Sequence, residues 1–174
     1  QRNSKRIGDL ISELLNSYRP AAVSLNMYSG SLVIEESIQQ AIDRLNLKNI
    51  QLKKDLSIDT LLQIDAEQIK IALLNIVINA VEAMETGNGI LEVKSTVRGS
   101  SYLISIKDNG MGMSSEQIDR LFEPYFTSKS TGLGLGLSAT LNIIQAHKGS
   151  IEVESTLGEG SQFIISLPIP QQVA

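Results

Sequence analysis

Hydrophobic positions recur at helical spacing in several parts of the chain. Between 31 and 45 the apolar side chains return every three or four residues, which predicts an amphipathic helix with Ser31 as its N-cap. A longer helix is predicted from Asp65, with a reciprocal cap because Gln68 follows three residues later. That helix is apolar nearly all round and is therefore expected to be buried. Shorter helical patterns cover 114–122 and 135–147.

Alternation of apolar and polar residues predicts the strands. The pattern covers 49–56, 89–98 and 101–109, and two more strands in the tail are joined by Gly158 and Gly160. The sequence between 98 and 101 is typical of a hairpin. Because strands and helices do not alternate regularly, a doubly wound parallel sheet is not expected. The order of elements predicts an α/β (α+β sandwich) domain, with a mixed, mainly antiparallel sheet covered by helices on one face.

The first twenty residues form a pattern of their own. Apolar residues from Ile7 to Leu15 line one stripe of a helix, and Pro20 predicts that this helix stops after Tyr18. A helix this short is marginal alone, so we expect it to pack on another helix. The residues 21–30 that follow are predicted to be a linker.

Composition and charge limit the classes of protein to which this chain could belong. The chain has 174 residues, 42% of them hydrophobic and 20% charged, which is typical of a globular domain. A net charge of −4 disfavours a nucleic-acid partner, and the absence of cysteine excludes disulfides and thiolate metal sites. No apolar run approaches the roughly 20 residues that span a bilayer. Because the chain lacks an initiator Met and a signal peptide, we expect it to be part of a longer protein.

A glycine-rich turn precedes the helix predicted at 135–147. Gly132, Gly134 and Gly136 would present bare N–H groups at a helix N-terminus, where phosphates bind. The residues 134–139 also match a dinucleotide fingerprint, with Glu154 roughly 20 residues downstream. That interpretation needs a buried strand before the first glycine, and the preceding segment is polar and contains Pro124. No Gly-Lys-Ser/Thr of a P-loop is present, so a phosphate loop of another kind or a simple hinge remains.

Two other patterns carry candidate chemistry. Asn75, Asn79 and Glu82 share one face of the buried helix, where amides either pair with backbone groups or bind a hydrated Mg²⁺. Asp108 ends a strand and is followed by Gly110 and Gly112. This pattern is typical either of a turn or of an adenine pocket, in which the carboxylate accepts a hydrogen bond from the amino group and glycines let the base approach.

Taken together and in order, four segments carry a family resemblance: NIVINAVEAM, DNGMGM, LFEPYFTSKS and GLGLGLS. With them the chain resembles the catalytic ATP-binding (GHKL/HATPase) domain of two-component sensor histidine kinases, from about Asp65 to Pro168. The FTSK and AHKGSIEVES segments are most similar to the nitrogen-regulation and dicarboxylate-sensor branch. The resemblance implies the Bergerat/GHKL fold, ATP and Mg²⁺ as cofactors, and transfer of the γ-phosphoryl group to a histidine.

The resemblance also implies roles for individual residues. Asn79 is the Mg²⁺ ligand, with Asn75 beside it, and Asp108 with Gly110 and Gly112 forms the adenine pocket. The segment 122–131 is a lid, whose Lys129 is the phosphate-reaching catalytic cation. Further nucleotide contacts are implied for Met113, Thr127, Ser128, Gly132, Leu133, Gly134, Leu135 and Gly136.

Domain organisation and partners follow from the same resemblance. It implies that residues 1–20 are a remnant of a dimerisation and phosphoacceptor hairpin, namely the end of its second helix. A linker covers 21–30, the catalytic domain 31–170 and a tail 171–174. The expected partners are ATP or ADP, the kinase's own hairpin and, through a homodimeric parent protein, a response regulator. Neither nucleic acid nor membrane is expected to contact this fragment, which is predicted to be cytoplasmic whether or not its parent is membrane-anchored.

Asn75 separates the kinase from one of its alternatives, and the single histidine bears on autophosphorylation. ATPase members of the group have Glu where this chain has Asn75, and an amide cannot take a proton from water, so a kinase is favoured over a GHKL-type ATPase or clamp. The remaining alternative is a serine kinase of the anti-sigma type. The single histidine, His147, is predicted to end a helix and not to accept phosphate. We therefore expect no autophosphorylation by this fragment alone.

Overall fold

The computed structural model describes residues 22–127 and 136–171. The described elements, in chain order, are β1 (Asn26–Ser29), α1 (Gly30–Leu47), β2 (Gln51–Asp55), β3 (Leu61–Ile64), α2 (Ala66–Ala83), β4 (Ile90–Arg98), β5 (Ser101–Asp108), α3 (Ser115–Asp119), α4 (Gly136–Ala146), β6 (Ser150–Thr156) and β7 (Gly160–Pro168). The helix predicted near the N-terminus lies outside the described residues.

Five strands form the main sheet, in the order β2-β4-β5-β7-β6. The pairing of β2 with β4 is parallel, and the other pairings are antiparallel, so the predicted mixed, mainly antiparallel sheet is confirmed. The hairpin between β4 and β5 is also confirmed, with Arg98 opposite Ser101 and Gly99 at a φ of 59°. A second, two-stranded sheet pairs β1 with β3.

The core lies between one face of the main sheet and the helices. Along β5 the buried residues alternate, with Tyr102, Ile104 and Ile106 facing inward. Helix α2 packs between α1 and α4 and contacts β5 and β7. Seven of its residues are buried, in agreement with the predicted all-round apolar helix. In the described part of the chain, no helix is both long and apolar enough to cross a bilayer.

The predicted linker 21–30 is wrong in its second half. Asn26–Ser29 form β1, because their backbone pairs with Leu61–Ile64, a partner about 35 residues away in sequence that periodicity does not reveal. The N-cap of α1 is Ser29 and not Ser31: the Ser29 hydroxyl accepts from Leu32 N at 3.1 Å. The domain boundaries at 20, 30 and 170 stay predictions.

The cap of α2 is confirmed only in part. The Asp65 carboxylate accepts from Gln68 N at 3.3 Å, as predicted. The Asp65 N–H, however, donates to Nε2 of His147 at 3.0 Å and not to Gln68. His147 follows α4 and is buried, with its Nδ1 at 2.7 Å from the Ile143 carbonyl oxygen. Because Nε2 accepts from the Asp65 N–H, Nδ1 is the nitrogen that donates to the Ile143 carbonyl, and this histidine links α4 to α2.

Candidate functional site

The buried helix α2 carries both predicted asparagines, and it brings Asn75 to the start of α4. The Asn75 amide donates to the Gly136 carbonyl at 3.2 Å and lies 3.4 Å from the hydroxyl of the fully buried Thr140. Its NH₂ group therefore joins α2 to the first turn of α4, as the backbone-pairing alternative predicted. Asn79 lies one turn further along the same face and is half-buried.

Asp108 lies at the end of β5, beneath the segment 109–113, which we call the glycine loop. Its side chain is 5% exposed, and Oδ1 accepts from the Gly110 N–H at 2.8 Å. Burial raises the pKa of the Asp108 carboxyl, while backbone N–H groups of Gly110 and Ser161 act in the opposite direction. A buried carboxylate with one oxygen already bonded is suited to accept a hydrogen bond from an amino group of a flat ligand.

At two positions the glycine loop lies so close to its neighbours that a side chain does not fit. A Cβ on Gly110 would lie 2.5 Å from the carbonyl oxygen of Ala83, at the end of α2. Gly112 has a φ of 67°, and a Cβ there would overlap the Thr156 carbonyl oxygen. These two glycines are therefore required by backbone approach and not only by a turn.

Hydrogen bonds anchor the glycine loop on both sides. Met111 N donates to the Ala83 carbonyl at 3.0 Å, and the Met111 carbonyl accepts from Gly158 N at 2.6 Å. Met113 N donates to the Ser155 hydroxyl at 2.8 Å. The loop is thus held between the C-terminal end of α2 and the turn that joins β6 to β7.

Sequence reasoning missed the supporting role of the β6–β7 turn. A Cβ on Gly160 would overlap the Asp108 carbonyl oxygen, and the Ser155 hydroxyl lies 2.8 Å from that of Ser161. The glycines that join β6 to β7 were the only signal, and they predicted no more than a turn.

Along α2 the structure places Asn75, Asn79 and the contact with the glycine loop at intervals of about one helical turn. Its axis rises roughly 6 Å over four residues, so Asn79 lies about one turn from both Asn75 and the Ala83 carbonyl. At Asn75, near the middle of α2, the helix bonds to Gly136, and at its C-terminal residue Ala83 it bonds to the glycine loop. Thr127 is half-buried at the end of the segment that follows α3. The predicted contacts Ser128, Lys129, Gly132, Leu133, Gly134 and Leu135 lie outside the described residues.

The donor set around α2 restricts how a metal ion could bind. Within 22–127 and 136–171, no group of three or more His, Cys, Asp or Glu side chains converges. A cation held by the amide oxygens predicted on α2 would also need ligands from elsewhere, such as the phosphates of a nucleotide. Mg²⁺ binds in this way, since it takes few protein ligands beside substrate phosphates.

A carboxylate buried behind a tight glycine loop, at the end of a buried helix that carries two asparagines, fits a nucleotide-binding α/β domain. Residues 64–171 match the family described as histidine kinase-, DNA gyrase B-, and HSP90-like ATPase. The chain belongs to this family, and its ATP-binding class is thereby established.

Relatives narrow the resemblance to sensor histidine kinases. The chain is 35% identical to the sensor histidine kinase ZraS of Escherichia coli K12, over 97% of this chain and 36% of that protein. It is 37% identical to sporulation kinase E of Bacillus subtilis 168, over 96% of this chain and 23% of that protein. The chain thus spans about a third or less of these two relatives.

Solved structures agree with the fold. The catalytic domain of histidine kinase ThkA superposes with a TM-score of 0.74 at 29% identity, over 83% of this chain and 95% of that one. The mycobacterial sensor histidine kinase MprB shares the fold at 23% identity, with a TM-score of 0.75. The predicted fold and the resemblance to histidine kinase catalytic domains are both confirmed.

Proposed function

We propose that this chain binds Mg·ATP and donates the γ-phosphoryl group to a histidine on a dimerisation hairpin, in two-component signalling. The observation that carries the proposal is Asp108, buried at the base of a loop in which Gly110 and Gly112 admit no side chain. The carboxylate would accept a hydrogen bond from the adenine amino group, and the flat loop would lie against the ring.

The phosphates would extend from the glycine loop along α2 towards α4. Asn79, with Asn75 beside it, would supply amide oxygens to a Mg²⁺ ion, which neutralises phosphate charge when it is bound. Gly136 and the residues before it would face the phosphates, and Lys129 would reach them as the lid closes. The contacts proposed for Met113, Thr127, Ser128, Gly132, Leu133, Gly134 and Leu135 complete the site.

Asn75 favours transfer over hydrolysis. It has no basic group that could take a proton from water, and its NH₂ is bonded to Gly136 and Thr140. The phosphoryl group therefore needs a nucleophile from another element. His147 cannot serve as this nucleophile, because it is buried and both of its ring nitrogens are hydrogen-bonded. The chain has no other histidine.

The acceptor and the partners follow from this requirement. We propose that the acceptor histidine lies on the parent kinase's own hairpin, whose second helix ends within 1–20. The parent would be a homodimer that passes the phosphoryl group to a response regulator. This domain would act in the cytoplasm, whether or not its parent is anchored to a membrane.

Titration of Mg·ADP against the chain and three variants tests the proposal. We expect Asp108→Ala to weaken binding about 10- to 100-fold, since it removes a hydrogen bond from a charged acceptor. Asn79→Ala should remove the Mg²⁺ dependence of binding, and Asp55→Ala, which changes an exposed strand carboxylate, should bind like the parent chain. Unchanged affinity in both site variants would contradict the assignment. A separate hairpin fragment that carries its histidine should then gain acid-labile phosphate from ATP.

A further inference from the structure

The side chain of Lys48 connects the end of α1 to the end of α2. Its Nζ lies 2.9 Å from the Val81 carbonyl oxygen, 2.8 Å from that of Met84 and 3.4 Å from that of Glu82. The residue is half-buried and is the C-cap of α1. An ammonium group has three N–H donors, which match three converging carbonyl oxygens.

Carbonyls at the end of a helix need such partners. The last four have no N–H within the helix and form the negative end of its dipole, where a cation is stabilising. In α2, Lys48 binds those of Val81 and Glu82, while the Ala83 carbonyl accepts from Met111 N at 3.0 Å. One ammonium and one amide of the glycine loop therefore share the end of this helix.

We propose that Lys48 is a positioning residue for nucleotide binding, because it holds the helix end on which the glycine loop rests. The inference depends on the proposed function, since it concerns the same site. Among the pocket residues that the structure describes, none is a hydrogen-bond partner of the Lys48 ammonium, which acts through the Ala83 carbonyl. If the last turn of α2 loosens, that carbonyl moves, and both the Met111 hydrogen bond and the close packing of Gly110 are lost. The distance between the glycine loop and Asn79 is then no longer fixed.

Lys48→Met is the informative variant, because it keeps an unbranched side chain of nearly the same length and removes the ammonium group with its charge and donors. Lys54→Met is its matched control: Lys54 lies on β2 in an exposed ion pair with Glu35 at 2.7 Å. We expect the Kd for Mg·ADP to rise about 5- to 10-fold in Lys48→Met and to stay within about twofold in Lys54→Met. Lys48→Arg should fall between the parent chain and Lys48→Met, because a planar guanidinium fits three converging oxygens poorly. Calorimetry at a temperature where every variant is fully folded gives these values.

Amide hydrogen exchange without nucleotide separates positioning from general stability. In Lys48→Met the Met111 amide should exchange at least about tenfold faster, while the Ile104 amide in the centre of β5 should be unchanged. An unchanged Kd, an unchanged Met111 amide, or equal acceleration of both amides would each overturn the proposal. If the parent chain bound no adenine nucleotide, the proposed function would fail, whereas the Met111 comparison would still test Lys48.

Discussion

Gly110→Ala tests the geometry of the site most directly. The added methyl group would lie 2.5 Å from the Ala83 carbonyl oxygen and 2.7 Å from its carbon, and ordinary contact begins at 3.4 Å. The loop must therefore withdraw by nearly 1 Å, which breaks the Met111–Ala83 hydrogen bond. Overpacking of this kind costs about 1–3 kcal/mol, and the lost hydrogen bond costs about 1 kcal/mol more. A displacement of this size at a binding site should weaken Mg·ADP binding about 10- to 100-fold.

Gly149→Ala is a matched control for this substitution. A Cβ on Gly149 would also lie 2.5 Å from a backbone oxygen, that of Ser166, but at the junction of α4 with β6, away from the glycine loop. Urea denaturation should show a loss of unfolding free energy in both variants, whereas calorimetry should show weaker nucleotide binding only in Gly110→Ala. Parent-like binding by Gly110→Ala, or equal loss of binding in both variants, would refute the reasoning.

Two further predictions concern buried titratable groups. Burial raises the pKa of Asp108 in the folded state, so ionisation of this carboxyl disfavours folding. The protonated carboxyl contributes stability that is fully present below the unfolded-state pKa and is lost as pH rises through the folded-state pKa. Adenine binding needs the carboxylate, so ADP affinity should fall as pH is lowered through the same range, and Asp108→Asn should show neither dependence in denaturation or calorimetry. His147→Ala should lower the unfolding free energy by about 1–3 kcal/mol, because it removes a buried side chain and leaves the partly buried Asp65 N–H without its acceptor. Nitrogen-15 NMR of the single imidazole should show a proton on Nδ1, and a proton on Nε2 would contradict the assignment.

The long elements and the pocket residues were predictable from local patterns. The buried helix α2, the β4–β5 hairpin and the β6–β7 pair follow from periodicity and glycine placement, which reflect interactions between near neighbours in sequence. Asp108, Gly110 and Gly112 lie within five residues of one another, so one short segment contains both the carboxylate and the glycines of the proposed pocket. The order of the motifs was then enough to predict the family, which the comparison of residues 64–171 confirmed.

The tertiary structure decided what depends on distant partners. Strand β1 is recognisable only through its pairing with Leu61–Ile64. Asp65 uses its N–H for His147, 82 residues away, and Lys48 binds carbonyls at the end of α2, 33 to 36 residues away. Backbone carbonyl and N–H groups are present at every position and leave no pattern in the sequence, so only the fold shows which of them a side chain can reach. The sequence by itself therefore determined which residues are proposed to form the pocket, and the tertiary structure determined what holds the described ones in place.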